Sequence, residues 1–413
     1  MIEILIKNIG RIKSAHIKLE DITIVAGINN TGKSTISKIL YSGIKPYSEI
    51  GRERVCTEIS DEIVNDLNLL SEEFKETQNE LIMSIYTELK NKKYTSLLRR
   101  VSELYSESKL KEKEDEEKVL HILEKLTIKD TTILRNYLIN DLGELLDDEN
   151  SKEKIKITKD KKDLVNYYHP ENEEGELGKV QTRLSMPLMP KSDIYNIIYI
   201  STPYILEKIK FPSNYLTMIE EDFMNDFQRN YFTKGVINLN KKKSELKKIE
   251  EEIEKIIQGA LILKGPQEIK YLCSDKKEVS LDNTATGIKS LGMLLKLLTN
   301  DSIKEDTILI FDEPEVHLHP EWQVKLAAIL TMLVKALNIK LFINSHSSEF
   351  IEAIQVFALK EKILGIHTYL AKEIENKIIF LDKTKEFGSI FEELGKGYDI
   401  LDKIKEEIED YDI

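Results

Sequence analysis

The first 45 residues carry strand-like alternation and then a helical pattern. Apolar and polar residues largely alternate over 2–7 and again over 12–19, with turn-forming residues between, which predicts an antiparallel hairpin. Residues 22–26 form a short apolar run that predicts a buried strand. This run leads into a glycine-containing loop and then into a predicted helix over 34–41.

The pattern changes between residues 46 and 189. Helical spacing and dense charge dominate there and predict a large helical insertion, within which 151–162 has the features of a loop or hairpin. Residues 194–200 are again apolar and β-prone and are expected to rejoin the central sheet. We therefore expect one α/β domain built from 1–45 and 190–413.

The second half of the chain alternates between strand and helix patterns. Residues 241–257 form an amphipathic helix with a narrow apolar seam, within a helical arm expected over 204–258. The later predicted elements are strands at 268–273, 278–281, 307–311, 339–343, 366–371 and 377–381, helices from 288 and over 320–337, and a charged C-terminal helix. Together they predict an α/β fold with a mixed central sheet and an N-terminal antiparallel β part.

Composition narrows the function classes. The 413 residues carry a formal net charge of −13, which argues against a globally basic nucleic-acid binder. The two cysteines, Cys56 and Cys273, are far apart and lack CxxC spacing, which favours reduced thiols over a disulfide or zinc scaffold. No apolar run approaches the roughly 20 residues of a membrane helix, and no signal peptide is evident. We expect a cytoplasmic protein with no membrane partner.

The segment from Gly27 to Ser34, Gly-Ile-Asn-Asn-Thr-Gly-Lys-Ser, has the spacing of a phosphate-binding loop. Its glycines let backbone amides wrap a phosphate, and the helix that follows adds its positive end. Lys33 is expected to pair with the β- and γ-phosphates, and Ser34 to ligate Mg²⁺. The predicted strand before the loop and the helix after it favour this interpretation over a chance match.

Two acids, Asp312 and Glu313, end the apolar strand predicted over 307–311. Carboxyl ends of parallel strands are where open α/β sheets bind ligands, and two buried carboxylates are costly without a cation. Asp312 fits a Mg²⁺ ligand and Glu313 a general base for an attacking water. The alternative is that both acids cap the next turn, and the phosphate-binding loop decides against it.

Three further segments carry candidate chemistry. His346 follows the next predicted strand and could contact the γ-phosphate or the attacking water, although a lone histidine is more often a surface or core residue. Thr286 and Gly287 lie at the start of a predicted helix. They are interpreted either as a second anion-binding helix terminus or as part of an ordinary N-cap. His317 and His319 alternate, but without an obvious third ligand a metal site is disfavoured.

Taken in order, these motifs resemble the ABC-type ATPase heads of the SMC, RecF and OLD-like group of P-loop proteins. The segment 311–320, Phe-Asp-Glu-Pro-Glu-Val-His-Leu-His-Pro, is most similar to the OLD-like AAA ATPases of bacterial defence systems. The resemblance covers about 1–45 and 190–385. It implies ATP and Mg²⁺ as cofactors.

The resemblance also assigns roles to individual residues. It implies that Asp312 and Ser34 bind Mg²⁺, and that Glu313 is the catalytic base beside the switch histidine His346 and the catalytic Lys33. It places the D-loop at 315–319. The Walker A loop is implied to bind the nucleotide through Gly27, Asn29, Asn30, Thr31, Gly32, Lys33, Ser34 and Thr35.

The resemblance implies a dimer. Thr286, Gly287 and Lys289 match the signature motif, which faces the ATP of a partner copy in this family, although Ile288 replaces the usual second glycine. ATP would then be sandwiched in a homodimer or a higher homo-oligomer. A second departure is that the expected Q-loop position, 201–203, holds Ser-Thr-Pro and no glutamine.

OLD nucleases continue into a TOPRIM domain, and the residues after His346 show no convincing metal-binding set of that kind. The leading interpretation is an ATP-hydrolysing sensor or regulator of a separate effector, a nuclease or toxin, in antiphage defence. The alternative is an SMC- or RecF-like DNA-binding ATPase of DNA repair or maintenance; a transporter ATPase is a distant third. The basic candidates for nucleic acid are Lys90, Lys92, Lys93, Arg99, Arg100, Lys241, Lys242, Lys243, Lys247 and Lys248, for which solvated helix faces are the favoured explanation.

Overall fold

An 11-stranded mixed sheet forms the centre of this computed structural model, which describes residues 1–51, 154–168, 183–185, 194–210, 215–229, 243–265 and 267–395, with positions 401, 404 and 405. Its strands are β1 (Ile2–Ile9), β2 (Ile12–Leu19), β3 (Ile22–Ala26), β4 (Lys154–Lys159), β5 (Lys162–Tyr168), β6 (Arg183–Ser185), β7 (Ile197–Ile200), β11 (Ile308–Asp312), β12 (Lys340–Ser345), β13 (Ile366–Ile374) and β14 (Lys377–Asp382). A smaller sheet contains β8 (Gly259–Gly265), β9 (Glu268–Cys273) and β10 (Glu278–Ser280).

The helices lie on both faces of the large sheet. They are α1 (Lys33–Ile44), α2 (Met218–Gln228), α3 (Lys243–Ile257), α4 (Thr286–Thr299), α5 (Pro320–Leu337), α6 (Ser348–Lys360) and α7 (Gly388–Leu394), with a 3₁₀ segment at Pro203–Lys210. One hydrophobic cluster contains residues of the helices α3, α4, α5 and α6 and of one face of the central strands. A second contains residues of α1 and of the N-terminal strands. Among the described residues, no helix combines the length and apolarity needed to cross a bilayer.

The central strands β7, β11, β12, β3 and β13 run parallel to one another in that order. Every residue of β3, β7 and β11 is buried, which matches the continuous apolar runs expected of strands covered on both faces. Because parallel strands end at the same edge, the loops that follow β3, β11 and β12 meet there. The expectation of an α/β fold with a mixed sheet is confirmed.

The N-terminal strands form the antiparallel part of the same sheet. β1 pairs with β2 as predicted, Ile4 opposite Ile17, and it also pairs with β4, Ile4 opposite Ile157. The strands β4 and β5 form a hairpin whose Ile155 and Ile157 are buried between exposed or half-buried lysines. This alternation gives the hairpin one apolar face, which packs into the core beneath β1.

The prediction of a loop or hairpin at 151–162 agrees with the β4–β5 hairpin. The prediction of one helical insertion over 46–189 is wrong for 154–168 and 183–185, which are strands of the main sheet. The helices predicted between 52 and 153 lie outside the described residues. Two helices, α2 and α6, and the strand β8 were not predicted individually, whereas α5 has the predicted bounds. A C-terminal helix begins at Gly388, and most positions after 395 lie outside the described residues.

A buried polar cluster fastens α1 to β7 and α2. Lys45, at the end of α1, lies with its Nζ 3.2 Å from Asn196 Oδ1 and 3.5 Å from Asp226 Oδ2. Asp226 also accepts from Arg229 at 2.7 Å and from the Asn196 amide at 3.2 Å. The Lys45 and Asp226 side chains are only 2% and 3% exposed. Because the phosphate-binding loop opens α1, this cluster fixes the far end of the helix that carries the loop.

Replacing Lys45 with Met should destabilise the protein strongly, because it leaves Asp226 buried with less neutralising charge. We expect the free energy of unfolding to fall by about 3 kcal/mol, the lower end of what breaking a buried ion pair costs, since Arg229 stays on Asp226. Urea denaturation followed by circular dichroism measures this. Lys13→Met, at an exposed position of β2, is the matched control and should change stability by less than about 0.5 kcal/mol. Equal stabilities for the two variants would contradict the role of the cluster.

Candidate functional site

The loop between β3 and α1 has a backbone that only particular residues allow. Gly27 has φ 156°, Asn30 64° and Gly32 74°, so the peptide planes change direction repeatedly along the loop. A Cβ on Gly27 would lie 2.9 Å from the Ala371 Cβ, which leaves no room for a side chain there. The Gly27 amide donates to the Ser345 carbonyl at 3.3 Å. The loop is therefore held against the end of β12.

Lys33 lies inside this loop and is 4% exposed. Its Nζ donates to the carbonyls of Gly27 at 2.8 Å and Ile28 at 2.9 Å, and it lies 3.4 Å from Glu313 Oε1. Thr31 closes the loop by donating from Oγ1 to the Ile28 carbonyl at 2.8 Å. The loop thus folds around one ammonium group.

The N-terminus of α1 has the features of an anion site. Its N-cap is Gly32, which has no side chain that could cap the helix. Among the described residues, no side chain accepts a hydrogen bond from the first-turn amides. Ser34 and Thr35 lie half-buried in that first turn, while Asn29 and Asn30 are exposed on the loop. The ammonium of Lys33 and a helix N-terminus together fit a phosphate group. These are the residues that the sequence assigned to nucleotide binding.

Asp312 is fixed from both sides by neutral donors. Its Oδ2 accepts from the Tyr199 hydroxyl at 2.6 Å and its Oδ1 from the Asn344 amide at 2.7 Å. The Asn344 amide also donates to Ser37 Oγ on α1 at 2.7 Å. Among the described residues no ammonium or guanidinium group pairs with Asp312, which is 8% exposed. A buried carboxylate without a cationic partner among the described residues fits the hard oxygen ligands that Mg²⁺ prefers.

Glu313 lies beside the lysine and the histidine that the sequence predicted. Its backbone adopts φ 54°, a left-handed conformation that is uncommon for residues other than glycine, and its amide donates to the Asn344 carbonyl at 2.9 Å. His346 Nδ1 lies 3.7 Å from Glu313 Oε1. The His346 ring and then the Lys33 ammonium hold the pKa of Glu313 below its usual value, against the effect of partial burial. Glu313 is therefore ionised at neutral pH.

A second glutamate, Glu315, lies behind this pair. Its Oε1 accepts from Ser345 Oγ at 2.7 Å and from the amides of His346 at 2.9 Å and Ser347 at 3.3 Å. The His346 Nδ1 lies 3.2 Å from the same oxygen. Burial raises the pKa of Glu315, whereas the interaction with Glu313 and the charge of Glu315 raise the pKa of His346. Two neighbouring carboxylates thus have pKa values shifted in opposite directions.

The residues expected to form a signature motif lie at the start of α4. Ala285 is the exposed N-cap and makes no side-chain cap. Lys289 is buried, pairs with Glu207 at 2.8 Å and lies over the Tyr204 ring. A Cβ on Gly287 would lie 2.6 Å from the Trp322 ring. In this head Lys289 and Gly287 are engaged by their own chain, which leaves Ala285 and the half-buried Thr286 to face outward.

The other sequence candidates have identifiable places. His319 caps α5 by accepting from the Glu321 amide at 3.3 Å, and His317 packs edge-on against Tyr204. The described residues contain no cluster of three or more possible metal ligands. Residues 201–203 follow β7 and lead into the 3₁₀ segment. The nucleic-acid candidates at 90–100, together with Lys241 and Lys242, lie outside the described residues. Lys247 is exposed, and its Nζ lies 3.8 Å from Glu251 Oε1.

The sequence missed three residues that hold the site together, Ser37, Tyr199 and Asn344, and it placed Glu315 in the D-loop without its contacts to the loop of His346. Tyr199 and Asn344 lie near the carboxyl ends of apolar runs, the same signal that identified Asp312. Their contacts depend on which strands are neighbours, and that order became known only from the sheet. Ser37 lies one turn beyond Lys33, on the same face of α1, but its partner Asn344 is distant in sequence and gives no local signal.

Comparison with solved structures gives weak overall similarity. The SMC head domain from Thermotoga maritima is 12% identical, with 92% of this chain and 97% of that chain covered and a TM-score of 0.39. The Smc head domain with an extended coiled coil from Pyrococcus furiosus, bound to the C-terminal domain of ScpA, is also 12% identical, with 98% and 100% covered and a TM-score of 0.40.

Comparison of sequences identifies the family. An uncharacterized protein from Methanocaldococcus jannaschii is 32% identical over 109 residues, which cover 26% of this chain and 93% of that protein. The family model described as an AAA ATPase domain matches residues 1–351 and so includes the phosphate-binding loop, both acids and His346. The chain belongs to the AAA ATPase domain family.

Proposed function

We propose that this protein is an ABC-type ATPase that binds ATP with Mg²⁺ and hydrolyses it to ADP and phosphate. The observation that carries the proposal is the convergence of Lys33, Asp312, Glu313 and His346 at one edge of the parallel sheet. Lys33 comes from the loop after β3, the two acids from the end of β11 and the histidine from the end of β12. This combination of a phosphate-binding lysine, a carboxylate for Mg²⁺ and a base is what phosphoryl transfer to water needs.

In this proposal Glu313 is the general base. Its carboxylate is ionised, and it lies 3.4 Å from Lys33 Nζ, the group that would bind the phosphates. A water aligned with the γ-phosphorus gives a proton to Glu313 as its oxygen bonds to phosphorus, while the bond to the bridging oxygen of ADP breaks. Lys33 and the first-turn amides of α1 stabilise the charge on the phosphate oxygens. Mg²⁺, held by Asp312 and Ser34, would supply further charge neutralisation at the phosphates.

We further propose that ATP lies between two copies of the chain. The N-terminus of α4 presents Ala285 and Thr286 outward, and an uncapped helix N-terminus attracts anions. The loop that would bind the nucleotide within one copy precedes a different helix, α1. A twofold dimer would place the α4 N-terminus of one copy on the nucleotide of the other and create two equivalent sites.

The proposed role is regulation of a separate effector, a nuclease or toxin in antiphage defence. It rests on the likeness of 311–320 to OLD-like ATPases. A DNA-binding ATPase of repair or maintenance is the competing role. The ion pair of Lys247 with Glu251 and the position of Lys248 beside Glu251 and Glu252 make this helix face electrically mixed and favour the first role. Salt-dependent duplex binding that is lost when Lys247 and Lys248 are neutralised would favour the second.

Glu313→Gln should abolish turnover while nucleotide binding persists, because the amide keeps the shape of the side chain but cannot accept the proton. We expect kcat to fall by about 10²- to 10⁴-fold, with the Kd for a fluorescent ATP analogue changed by less than about threefold. Phosphate release and fluorescence titration measure the two quantities. Glu352→Gln, at an exposed position of α6, is the control and should leave both unchanged. Normal turnover by the Glu313 variant would remove its assignment as the base.

A charge at the α4 N-terminus should prevent the ATP-dependent dimer. Gly287→Glu would test this surface, but its Cβ would also collide with Trp322, so the exposed Ala285 is the cleaner position. In a Glu313→Gln background with ATP and Mg²⁺, Ala285→Glu should raise the dimer dissociation constant at least about tenfold, because its carboxylate faces the partner's phosphates. Ala285→Gln matches the size without the charge and should dimerise. Analytical ultracentrifugation compares them, and equal dimerisation would contradict the sandwich.

A further inference from the structure

The loop that carries His346 is held by one buried side chain. Glu315 Oε1 accepts from the Ser345 hydroxyl and from the amides of His346 and Ser347, three consecutive residues that begin with the last residue of β12. Glu315 itself belongs to the turn after β11, and its side chain is 2% exposed. The carboxylate therefore ties the loop after one strand to the loop after its parallel neighbour.

The same oxygen also faces the imidazole ring. His346 Nδ1 lies 3.2 Å from Glu315 Oε1 and 3.7 Å from Glu313 Oε1, so both carboxylates approach the same ring nitrogen. A negative group beside Nδ1 favours a proton on that nitrogen. Among the described residues, Nε2 makes no hydrogen bond or ion pair, and the side chain is 39% exposed. The ring is thus oriented from one side, and its other nitrogen is left for a ligand.

Glu315 is not placed to act on a nucleotide directly. It is buried behind His346, all of its described bonds go through Oε1, and its Oε2 is a buried oxygen without a described partner. Glu313, by comparison, is half-exposed and lies beside Lys33. The two glutamates of this segment therefore have different tasks, one at the reacting groups and one beneath them.

We propose that Glu315 is a positioning residue, which fixes the His346 backbone and ring so that Nδ1 carries the proton and Nε2 faces the nucleotide pocket. The expected effect on turnover rests on the proposed ATPase function, whereas the expected orientation of the His346 ring does not. Displacement of a catalytic group by about 1 Å can cost 10²-fold in rate without loss of binding. Glu315 would therefore affect turnover while leaving ATP affinity intact.

Two variants separate the effect of the Glu315 charge from that of its hydrogen bonds to the loop. Glu315→Gln places an amide oxygen where Oε1 accepts its three bonds and an amide nitrogen where Oε2 has no described partner, so the loop is kept and the charge is lost. Glu315→Ala loses both. We expect kcat to fall about threefold to tenfold in the first and about 10- to 100-fold in the second, with the Kd for ATP changed by less than about threefold. Glu352→Gln and Glu352→Ala are the exposed controls.

A double-mutant cycle tests whether the effect passes through the histidine. In a His346→Ala background, Glu315→Gln and Glu315→Ala should cost little further activity, because the group they position is gone. If either substitution lowers kcat as much in that background as in the wild type, or raises the Kd for ATP in proportion, the positioning role is overturned and a general structural role replaces it.

A measurement independent of turnover keeps this inference separate from the proposed ATPase activity. Long-range ¹⁵N NMR of the full chain at about pH 9, where imidazole is neutral, reports which nitrogen of each of the seven histidines carries the proton. The His346 signals are those lost in His346→Ala. We expect the Nδ1–H tautomer in the wild type and a shift toward Nε2–H in Glu315→Ala.

Failure of the proposed ATPase function and failure of the proposed role of Glu315 would give different results. Wild-type protein with the Nδ1–H tautomer but no ATP hydrolysis would overturn the proposed function and leave the role of Glu315 intact. An Nε2–H tautomer in the wild type would overturn the role of Glu315 whatever the activity. If Glu315→Ala does not fold, Glu315→Gln decides: wild-type kcat together with an unchanged pKa of His346 would overturn the proposal.

Discussion

The amide of Asn344 is the interaction on which the rest of the site depends. It is fully buried at the end of β12 and donates to Asp312 on β11 and to Ser37 on α1 at 2.7 Å each. The backbone carbonyl of Asn344 accepts from the backbone amide of Glu313. One residue thus fixes the spacing between the strand that carries the acids, the strand that carries the histidine and the helix that follows the phosphate-binding loop. A network of short bonds between buried groups tolerates little displacement, because each broken bond leaves a polar atom unsatisfied.

This arrangement explains how residues so distant along the chain lie at one edge of the sheet. Parallel strands end at a common edge, so the order β11, β12, β3 places the three loops side by side. The hydrogen bonds of Asn344, Tyr199 and Glu315 then convert neighbouring strand ends into one rigid group. The hairpin of β4 and β5 lies at the other end of the sheet, among the antiparallel strands. Residues 154–168 and 183–185, which lie between the glycine loop and the strand-terminal acids in sequence, are therefore part of the main sheet.

The sequence predicted the positions of the candidate site residues better than their contacts. The glycine loop and the strand-terminal acids follow from local pattern, because short-range backbone geometry and burial dictate them. Tyr199 could not be assigned, because its bond to Asp312 depends on β7 lying next to β11 in register. The segment 151–162 is predicted as a loop or hairpin, but inside a helical insertion because dense charge surrounds it; the isoleucines of β4 alternate as a strand requires, and the hairpin belongs to the main sheet. Pairing with β1, a long-range contact, decides its structure.

The signature region shows why a matching motif does not by itself define a surface. Thr286, Gly287 and Lys289 are adjacent in sequence, yet Lys289 neutralises Glu207 within the head and Gly287 makes room for Trp322. Trp322 lies on α5, directly after the turn that contains His317, and His317 packs on Tyr204, whose ring also faces Lys289. The turn after Asp312 and Glu313, the segment after β7 and the start of α4 are therefore packed against one another. Any nucleotide bound at the α4 terminus would press on the same set of contacts that leads back, through the turn at 313–319, to Glu313 and Glu315. In the proposed dimer, this continuity is a physical route from the partner copy to the proposed site of turnover.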